Sequence, residues 1–371
     1  MKSLLFLLAL AVSSMAQSLS AYYEQSFSGT QPVSAIPWAK YNAVVHFAVV
    51  PGVDGSGNGN GTIDLYSIGS TANMTTFVSA AHAAGKVAYF NICDNTSYPN
   101  AFHDSTQPAL LATFVSNIAG YVSTYGYDGV IVDWESNLSG NDALYESLIA
   151  SLKTAIGTKT LNVAMNDTTD DTTVAAASYS QLGGVWLMCY DMQDGGPGGT
   201  TWYVDALYHQ NWTGGGSCQR GWERFAQAGV PAAKMVIGLP FYSYVFGGVT
   251  APIGPLQAYT TGPSLLYYKD LIADPARWQP GYQNWDSYWG GSYVADPAGE
   301  FIPYTSQDQM SALVSIVRSQ GFQGIFTYSL PYEYVPTASG NAKYPLSTML
   351  YNTLGPQQTT ISGRCSGCAV H

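Results

Sequence analysis

The chain has 371 residues, of which 46% are hydrophobic and only 10% are charged, and its formal net charge is −11. This composition supports one large folded core and excludes a disordered chain or a membrane-spanning body. The negative charge argues against nucleic acid as a partner, because a polyanion would be repelled. The 28 tyrosines and 9 tryptophans favour a neutral ligand such as a sugar, although aromatic side chains are also ordinary core material.

The first 16 residues have the pattern of a secretory signal peptide. Lys2 precedes an apolar run at residues 4–12, and the small residues Ser14 and Ala16 flank Met15. The apolar run is too short to span a membrane. We therefore expect cleavage after Ala16, secretion, and no membrane association of the mature chain.

Strand and helix patterns alternate along most of the remaining chain. Strands are predicted at residues 18–25, 43–50, 87–92, 130–132, 161–165, 185–191, 235–243 and 324–328. Helices are predicted at residues 75–84, 108–125, 143–155, 221–228 and 306–320, and the glycine-rich residues 52–62 are predicted to form a loop. Such alternation predicts an α/β fold with a parallel sheet.

The alternation stops at about residues 244–304, where Gly, Pro, Tyr and Trp dominate. A structureless loop of that length is improbable in a compact domain, so we predict a small inserted subdomain. After residue 356 the chain is a Gly/Ser-rich tail, residues 357–371, that contains Cys365 and Cys368. A local disulfide is favoured there over a metal site, since no second cysteine pair or histidine cluster accompanies them. Cys189, in an apolar strand, is expected to be a buried thiol.

The run YDGVIVDWE, residues 127–135, places two carboxylates at the exit of a buried strand. Side chains alternate along a strand, so Asp133 and Glu135 point the same way, roughly 7 Å apart at their Cα atoms. Both cannot ionise easily, and the acid in the more apolar setting has a raised pKa. The pattern favours Glu135 as a proton donor beside an anionic Asp133. For D-x-E alone, ordinary solvated or helix-capping acids remain the alternative.

This run resembles the signature D-G-x-D-x-D-x-E of glycoside hydrolase family 18, the chitinases and their relatives, where it closes the fourth strand of a (β/α)8 barrel. Asp128, Gly129, Asp133 and Glu135 match the signature, whereas Ile131 stands where the family usually has an aspartate.

The third predicted strand also departs from the family. Residues 90–93, FNIC, stand where the family normally carries S-x-G-G. The serine of that motif supports the aspartate that Ile131 replaces. We therefore interpret the two departures as one coupled change, in which a polar pair has become an apolar one.

Further motifs follow in the order that the family predicts. Met188, Tyr190 and Asp191 match M-x-Y-D at the end of strand six, and Tyr242 ends a run that resembles G-L-P-F-Y-G. The resemblance implies that Tyr190 binds the substrate's acetamido group and that Asp191 supports sugar binding. Tyr328 stands where the family usually places a tryptophan under the distorted sugar. Each tyrosine alone is as well explained as core.

The resemblance extends over residues 19–354 and implies a (β/α)8 TIM barrel at residues 17–356. It also implies a small α+β-type insertion, residues 244–304, between strand 7 and helix 7. The active site is expected at the carboxyl ends of the barrel strands.

Three tryptophans, Trp202, Trp285 and Trp289, follow strands six and seven in glycine-rich stretches. On the rim of a barrel they would stack on sugar rings. Equally, Trp285 and Trp289 would form the core of the inserted subdomain.

We expect a secreted monomer, and the resemblance implies a retaining glycosidase that cuts β-1,4 links of N-acetylglucosamine in chitin or chito-oligosaccharides, with no metal or cofactor. Glu135 would protonate the leaving oxygen while Asp133 and Tyr190 orient the substrate's acetamido group. Two alternatives stay open. An endo-β-N-acetylglucosaminidase would cut the N-glycan core with the same residues, and a silent sugar-binding relative would explain the missing aspartate and S-x-G-G.

Overall fold

The computed structural model describes residues 17–192, 199–210 and 216–355. The strands are β1 (Ser18–Glu24), β2 (Ala43–Val53), β3 (Gly59–Asp64), β4 (Val87–Cys93), β5 (Gly129–Asp133), β6 (Thr160–Met165), β7 (Gly184–Leu187), β8 (Met235–Pro240), β9 (Tyr242–Gly247), β10 (Thr261–Tyr267), β11 (Gln283–Asp286), β12 (Gly291–Asp296), β13 (Glu300–Tyr304) and β14 (Gly324–Tyr328). The helices are α1 (Thr71–Ala83), α2 (Ala101–Ser105), α3 (Leu111–Tyr125), α4 (Asp142–Ile156), α5 (Thr169–Ser178), α6 (Cys218–Gln227), α7 (Tyr268–Ala273), α8 (Gln307–Gln320) and α9 (Pro345–Leu354).

Eight parallel strands form a closed barrel, in the order β1, β2, β4, β5, β6, β7, β8 and β14. The barrel closes because β1 pairs in parallel with both β14 and β2. Each strand is buried on both faces, which explains why the sequence shows apolar runs rather than alternation. The predicted TIM barrel is confirmed.

The interior of the barrel is packed with side chains. Its core consists of Tyr22, Val45, Ile131, Ala164, Trp186, Val236 and Phe326. Trp186 and Phe326 lie 5.0 Å apart between ring centroids. A packed interior is usual for this fold, and it holds the carboxyl ends of the strands in fixed positions.

A second sheet follows β8 and precedes α8. It has five antiparallel strands in the order β10, β9, β13, β12, β11, and α7 lies between two of them in the chain. This sheet is the predicted insertion between barrel strand seven and its helix. Its hydrophobic cluster joins Phe246 and Phe301 to Trp202 and Tyr203, so that the sheet packs on the segment that follows β7.

Three local predictions were wrong. Residues 52–62 are not a loop, because β2 continues to Val53 and β3 returns antiparallel to it. A Cβ at Gly59 would overlap the carbonyl oxygen of Ala101, so the glycines of this hairpin allow close packing on α2. The sixth barrel strand ends at Leu187, four residues earlier than predicted, and the seventh ends at Pro240 before β9 begins.

Two predicted segments lie outside the described residues: the signal peptide at residues 1–16, and the tail with Cys365 and Cys368. In the described part of the chain, Cys93, Cys189 and Cys218 are buried free thiols. No helix in that part has the length and apolar character needed to cross a membrane.

Candidate active site

A cleft of about 450 Å³ opens at the carboxyl end of the barrel. Its volume lies within the range of small-molecule sites. Every barrel strand, or the segment just after it, contributes to the lining, which consists of Tyr22, Phe47, Cys93, Asp94, Thr96, Asp133, Glu135, Asn166, Met188, Tyr190, Asp191, Tyr242 and Tyr328. Seven residues predicted from sequence are therefore brought together in one cleft, from Asp133 on β5 to Tyr328 on β14.

Two hydrogen bonds position Glu135 on the floor of this cleft. The side-chain amide of Asn166 donates to Glu135 Oε2 over 2.7 Å. The backbone N–H of Glu135 donates to Asp94 Oδ2 over 2.8 Å, and the next N–H, of Ser136, donates to the same oxygen over 2.6 Å. Both the main chain and the carboxyl group of Glu135 are thus held in place while the side chain stays accessible from the cleft.

The site concentrates negative charge. Burial raises the pKa of Asp133 well above its usual range, and the charges of Glu135 and Asp94 raise it further. Desolvation by the surrounding protein also raises the pKa of Glu135. The hydrogen bond from Asn166 lowers this pKa, and the charges of Asp94 and Asp191 raise it further. Because like charges repel, ionising both acids at once is unfavourable.

The more apolar setting belongs to Asp133, whose side chain is almost wholly buried, with 6% of the residue exposed. This is the reverse of the prediction that Glu135 is the acid in the apolar environment. Asp133 Oδ1 is buried and has no hydrogen-bond partner among the described residues. Since an unpaired buried anion is costly, burial favours the neutral form of Asp133 and raises its pKa.

The surroundings of Ile131 and Asn91 show that the predicted change from a polar pair to an apolar pair is only half right. Ile131 does lie in the apolar barrel interior. However, Phe90 faces the surrounding helices, where its ring stacks on Tyr121 at 6.1 Å, and Asn91 is the fully buried residue paired with Ile131. The Asn91 amide hydrogen-bonds with Asp133 and lowers the pKa of that carboxyl. A polar supporting group is therefore retained on β4.

Aromatic side chains form a large part of the cleft lining beside the acids. Tyr190 lies nearly parallel to Tyr328, with ring centroids 6.2 Å apart. Tyr328 contacts Tyr22 and Phe47 edge-on, each at 5.4 Å. Burial raises the pKa of the Tyr190 hydroxyl, and the nearby charge of Asp133 adds to this. The hydroxyl is therefore a neutral donor close to both acids.

Asp191 is held in a left-handed backbone conformation, with φ of 58°. The hydroxyl of Tyr244 donates to Asp191 Oδ1 over 3.1 Å, and Tyr242 also hydrogen-bonds with this carboxylate. Backbone strain in a non-glycine residue persists where the surroundings enforce it, and such residues cluster at functional sites. Beyond Asp191 the cleft continues into a cavity of about 310 Å³ that Met188 also lines.

Asp128 and Gly129 lie at the opposite end of β5 from the cleft. Asp128 accepts hydrogen bonds from the ring of His82 and from the backbone N–H of Ala88, both at 2.9 Å. A Cβ at Gly129 would overlap the carbonyl oxygen of Thr160. These two motif positions join neighbouring strands and do not touch the site.

The three tryptophans do not line the cleft. Trp202 is fully buried in the cluster between the second sheet and the barrel, so the prediction that it stacks on sugar is corrected. Trp289 packs edge-on against Trp202, with ring centroids 5.1 Å apart. Trp285 lines a separate concavity.

Sequence reasoning missed several groups in the cleft, above all Asp94 and Asn166. Each directly follows the last residue of a barrel strand, Cys93 and Met165 respectively. That position was the available signal, because the carboxyl ends of all the strands converge on the site.

The comparisons with known proteins agree with this geometry. The model of the family described as glycosyl hydrolases family 18 matches residues 19–333. Over 274 residues the chain is 22% identical to a probable endochitinase of Caenorhabditis elegans, and this match covers 65% of the chain and 43% of the relative. The chain spans about half the length of the curated relatives it matches.

Solved structures show the same fold. The group IV chitinase of Ostrinia furnacalis in complex with allosamidin has a TM-score of 0.77 at 17% identity, with 91% of this chain and 98% of that chain covered. The chitinase-like agglutinin of Robinia pseudoacacia has a TM-score of 0.76 at 19% identity, with 91% and 99% covered. With the family model matched over most of its length, the chain belongs to glycoside hydrolase family 18.

Proposed function

We propose that this protein is a secreted glycosidase that hydrolyses β-1,4 linkages of N-acetylglucosamine chains, chitin or chito-oligosaccharides, with retention of configuration. The observation that carries the proposal is the state of Glu135. A general acid needs an accessible proton, a fixed position and a pKa near the working pH. Glu135 is accessible from the cleft, is held by Asp94 and Asn166, and has a raised pKa.

The first step breaks the glycosidic bond. Glu135 donates its proton to the glycosidic oxygen as the bond from that oxygen to the anomeric carbon breaks. The carbonyl oxygen of the substrate's own acetamido group forms a bond to the anomeric carbon from the opposite face, giving an oxazolinium ion. In this family the substrate thus supplies the nucleophile that other retaining glycosidases take from a second carboxylate.

Asp133 and Tyr190 have supporting roles in this step. The carboxylate of Asp133, which lines the cleft, is the acceptor for the acetamido N–H. A hydrogen bond to the ionised form lowers the pKa of Asp133, so that Asp133 is ionised while Glu135 holds the proton it donates. The resulting anion stabilises the positive oxazolinium, and the neutral Tyr190 hydroxyl donates to the acetamido oxygen.

The second step restores the enzyme. Water attacks the anomeric carbon, the Glu135 carboxylate accepts a proton from that water, and the bond to the acetamido oxygen breaks. Two inversions at the anomeric carbon give a product with the original β configuration. The scheme requires no cofactor.

A sugar-binding protein without catalysis is the second candidate. The observation in its favour is Ile131, which puts an apolar side chain where the family motif has an aspartate. The similarity to an agglutinin agrees with it. Endo-β-N-acetylglucosaminidase action on N-glycan cores would use the same residues, with loop shape deciding the substrate.

Three labelled substrates test the proposal: a chito-oligosaccharide, a high-mannose glycopeptide, and a cello-oligosaccharide that has β-1,4 links but no acetamido group. We expect turnover of the first alone. Turnover of the glycopeptide alone would support the N-glycan enzyme, and binding without turnover would support the sugar-binding protein. Cleavage of the cello-oligosaccharide at an equal rate would contradict substrate assistance.

A further inference from the structure

A second concavity, of about 260 Å³, lies beside the inserted sheet and shares no lining residue with the catalytic cleft. We call it the β11 groove and define it by Trp278, Gln283, Asn284, Trp285 and Asp308. It lies between the edge strand β11 and the start of α8. Ligand sites for whole drug-sized molecules have about 300–1,000 Å³, so this groove has room for a small part of a longer chain.

The two tryptophans of the groove are partly exposed. Trp278 is fixed by edge-on contacts with Tyr268 at 5.9 Å and with Tyr304 at 5.1 Å. Trp285 and Gln283 lie on one face of β11, because side chains alternate along a strand. A fixed, partly exposed aromatic face beside an amide is the combination that binds amphipathic rings, which have one apolar face and a polar edge.

Among the residues that the structure describes, the amides of the groove have hydrogen-bonding groups without a partner. Asn284 donates from its side-chain nitrogen to the carbonyl of Tyr282 over 2.8 Å, which leaves its side-chain oxygen as an acceptor. The Gln283 oxygen accepts a long hydrogen bond of 3.5 Å from the Tyr304 hydroxyl, which leaves its nitrogen as a donor. Gln283, on the same face of β11 as Trp285, therefore offers a donor beside the aromatic ring, as a sugar hydroxyl requires.

The charge of the groove restricts its ligand. The lining residues include one acid, Asp308, and no lysine, arginine or histidine. A phosphate or carboxylate ligand would find no cationic partner there. A neutral polyhydroxyl compound with an apolar face fits the aromatic rings and the amides of this lining.

We propose that the β11 groove is a second carbohydrate site, which binds one or two N-acetylglucosamine units of a chain outside the catalytic cleft. The sugar class is tied to the proposed function, because the same polymer would reach both sites. The groove itself depends only on its own geometry. Trp285, predicted to stack on sugar, would do so here and not over the catalytic acids.

Titration calorimetry of the full chain with chitotetraose tests this proposal. The Glu135→Gln variant serves as the background, since it prevents turnover. We expect two binding events, and we expect Trp285→Ala to weaken one of them about tenfold or more, as for loss of an aromatic anchor. The matched control is Trp289→Ala, which changes another tryptophan of the same insertion that does not line the groove, and which should leave both events intact.

Folding is monitored by thermal melting of each variant. If Trp285→Ala melts at much lower temperature, Gln283→Ala replaces it and should weaken the same event. A single binding event that the groove variants do not change would overturn the proposal, as would equal effects of Trp285→Ala and Trp289→Ala.

Hydrolysis separates this result from the proposed function. In the wild-type background, Trp285→Ala should keep its kcat/KM on soluble chitotriose and lose adsorption to insoluble chitin. Hydrolysis of chitotriose with a single binding site would support the proposed function and contradict the groove proposal. Binding in the groove without hydrolysis would support the groove proposal and contradict the proposed function.

Discussion

The two ends of strand β5 use similar residues for different purposes. At the amino end, Asp128 accepts hydrogen bonds from His82 and from the backbone of Ala88, which ties α1 and β4 to β5. At the carboxyl end, Asp133 is buried with an unpartnered oxygen, in a cleft that also holds Asp94 and Glu135. An acid whose hydrogen bonds join neighbouring elements contributes to folding, whereas an acid that lines the cleft can contact a substrate. Motif membership alone does not distinguish these roles.

The largest expected effect is on kcat, and it distinguishes Glu135 at the carboxyl end of β5 from Asp128 at the amino end. Glu135→Gln should reduce kcat at least 10²- to 10⁴-fold, because the amide keeps the shape of the side chain but cannot donate the proton. Binding of chitotetraose and the melting temperature should change little. The control is Asp128→Asn, which alters an acid of the same motif and should keep kcat within a few-fold. Near wild-type turnover of Glu135→Gln would contradict the comparison.

Asp133→Asn should have the next largest effect, a loss of about 10²-fold in kcat, comparable to the removal of one group that stabilises charge in a transition state. Asparagine still accepts a hydrogen bond from the acetamido N–H, but it cannot stabilise the oxazolinium with a negative charge. Steady-state kinetics on a chito-oligosaccharide provide the measurement. An unchanged kcat would show that Asp133 is as structural as Asp128.

Asp94→Asn sharpens the comparison through the pH profile. The charge of Asp94 raises the pKa of Glu135, and Glu135 must be protonated to act as the acid. Removal of the charge lowers that pKa, so the alkaline limb of kcat/KM against pH should move to lower pH, by less than about one unit. The asparagine oxygen can still accept the N–H groups of Glu135 and Ser136.

The matched control for this shift is Asp270→Asn, which removes the same charge from an exposed residue of α7 paired with Lys269. It should leave the alkaline limb where it is. If the alkaline limb of Asp94→Asn stays in place or moves to higher pH, the charge of Asp94 does not raise the pKa of Glu135. Asp94 would then only hold the backbone of Glu135 and Ser136.

The smallest expected effect concerns stability. Burial raises the pKa of Asp171 from its usual value to about 7, and its Oδ1 has no hydrogen-bond partner among the described residues. Because the folded state holds the proton more tightly than the unfolded chain, the stabilisation is full below about pH 4 and is lost as pH rises to 7.

Asp171→Asn removes this dependence. Its melting temperature relative to wild type should therefore rise by a few degrees between pH 5 and pH 8. The neighbouring Asp170→Asn, at a more exposed position, should show a smaller change. A melting difference for Asp171→Asn that is the same at both pH values would contradict the assignment.

The barrel and the core of the site were predictable from local patterns. Buried parallel strands give apolar runs, and Asp133, Glu135 and Tyr190 lie at fixed distances from the ends of such runs. Helix α5 was missed because its sequence, TDDTTVAAAS, offers few apolar residues; its start depends on Thr168, which caps the backbone N–H of Asp171.

Other features depend on contacts that no short stretch of sequence contains. Asp94 accepts a hydrogen bond from the backbone N–H of Glu135, although the two residues are 41 positions apart in the chain. The orientation of Asn91 depends on strand register, since a shift of one residue exchanges Phe90 and Asn91 between the two faces. Trp202 is buried in a cluster that Phe246 and Phe301, from the distant inserted sheet, help to form.

The most direct test of substrate-assisted catalysis at Glu135 is the anomeric configuration of the first product. Proton NMR at early times of chito-oligosaccharide hydrolysis distinguishes the α and β forms before they interconvert. Attack by the acetamido oxygen followed by water predicts the β-anomer first. Initial formation of the α-anomer would mean a single displacement by water, and would contradict the mechanism.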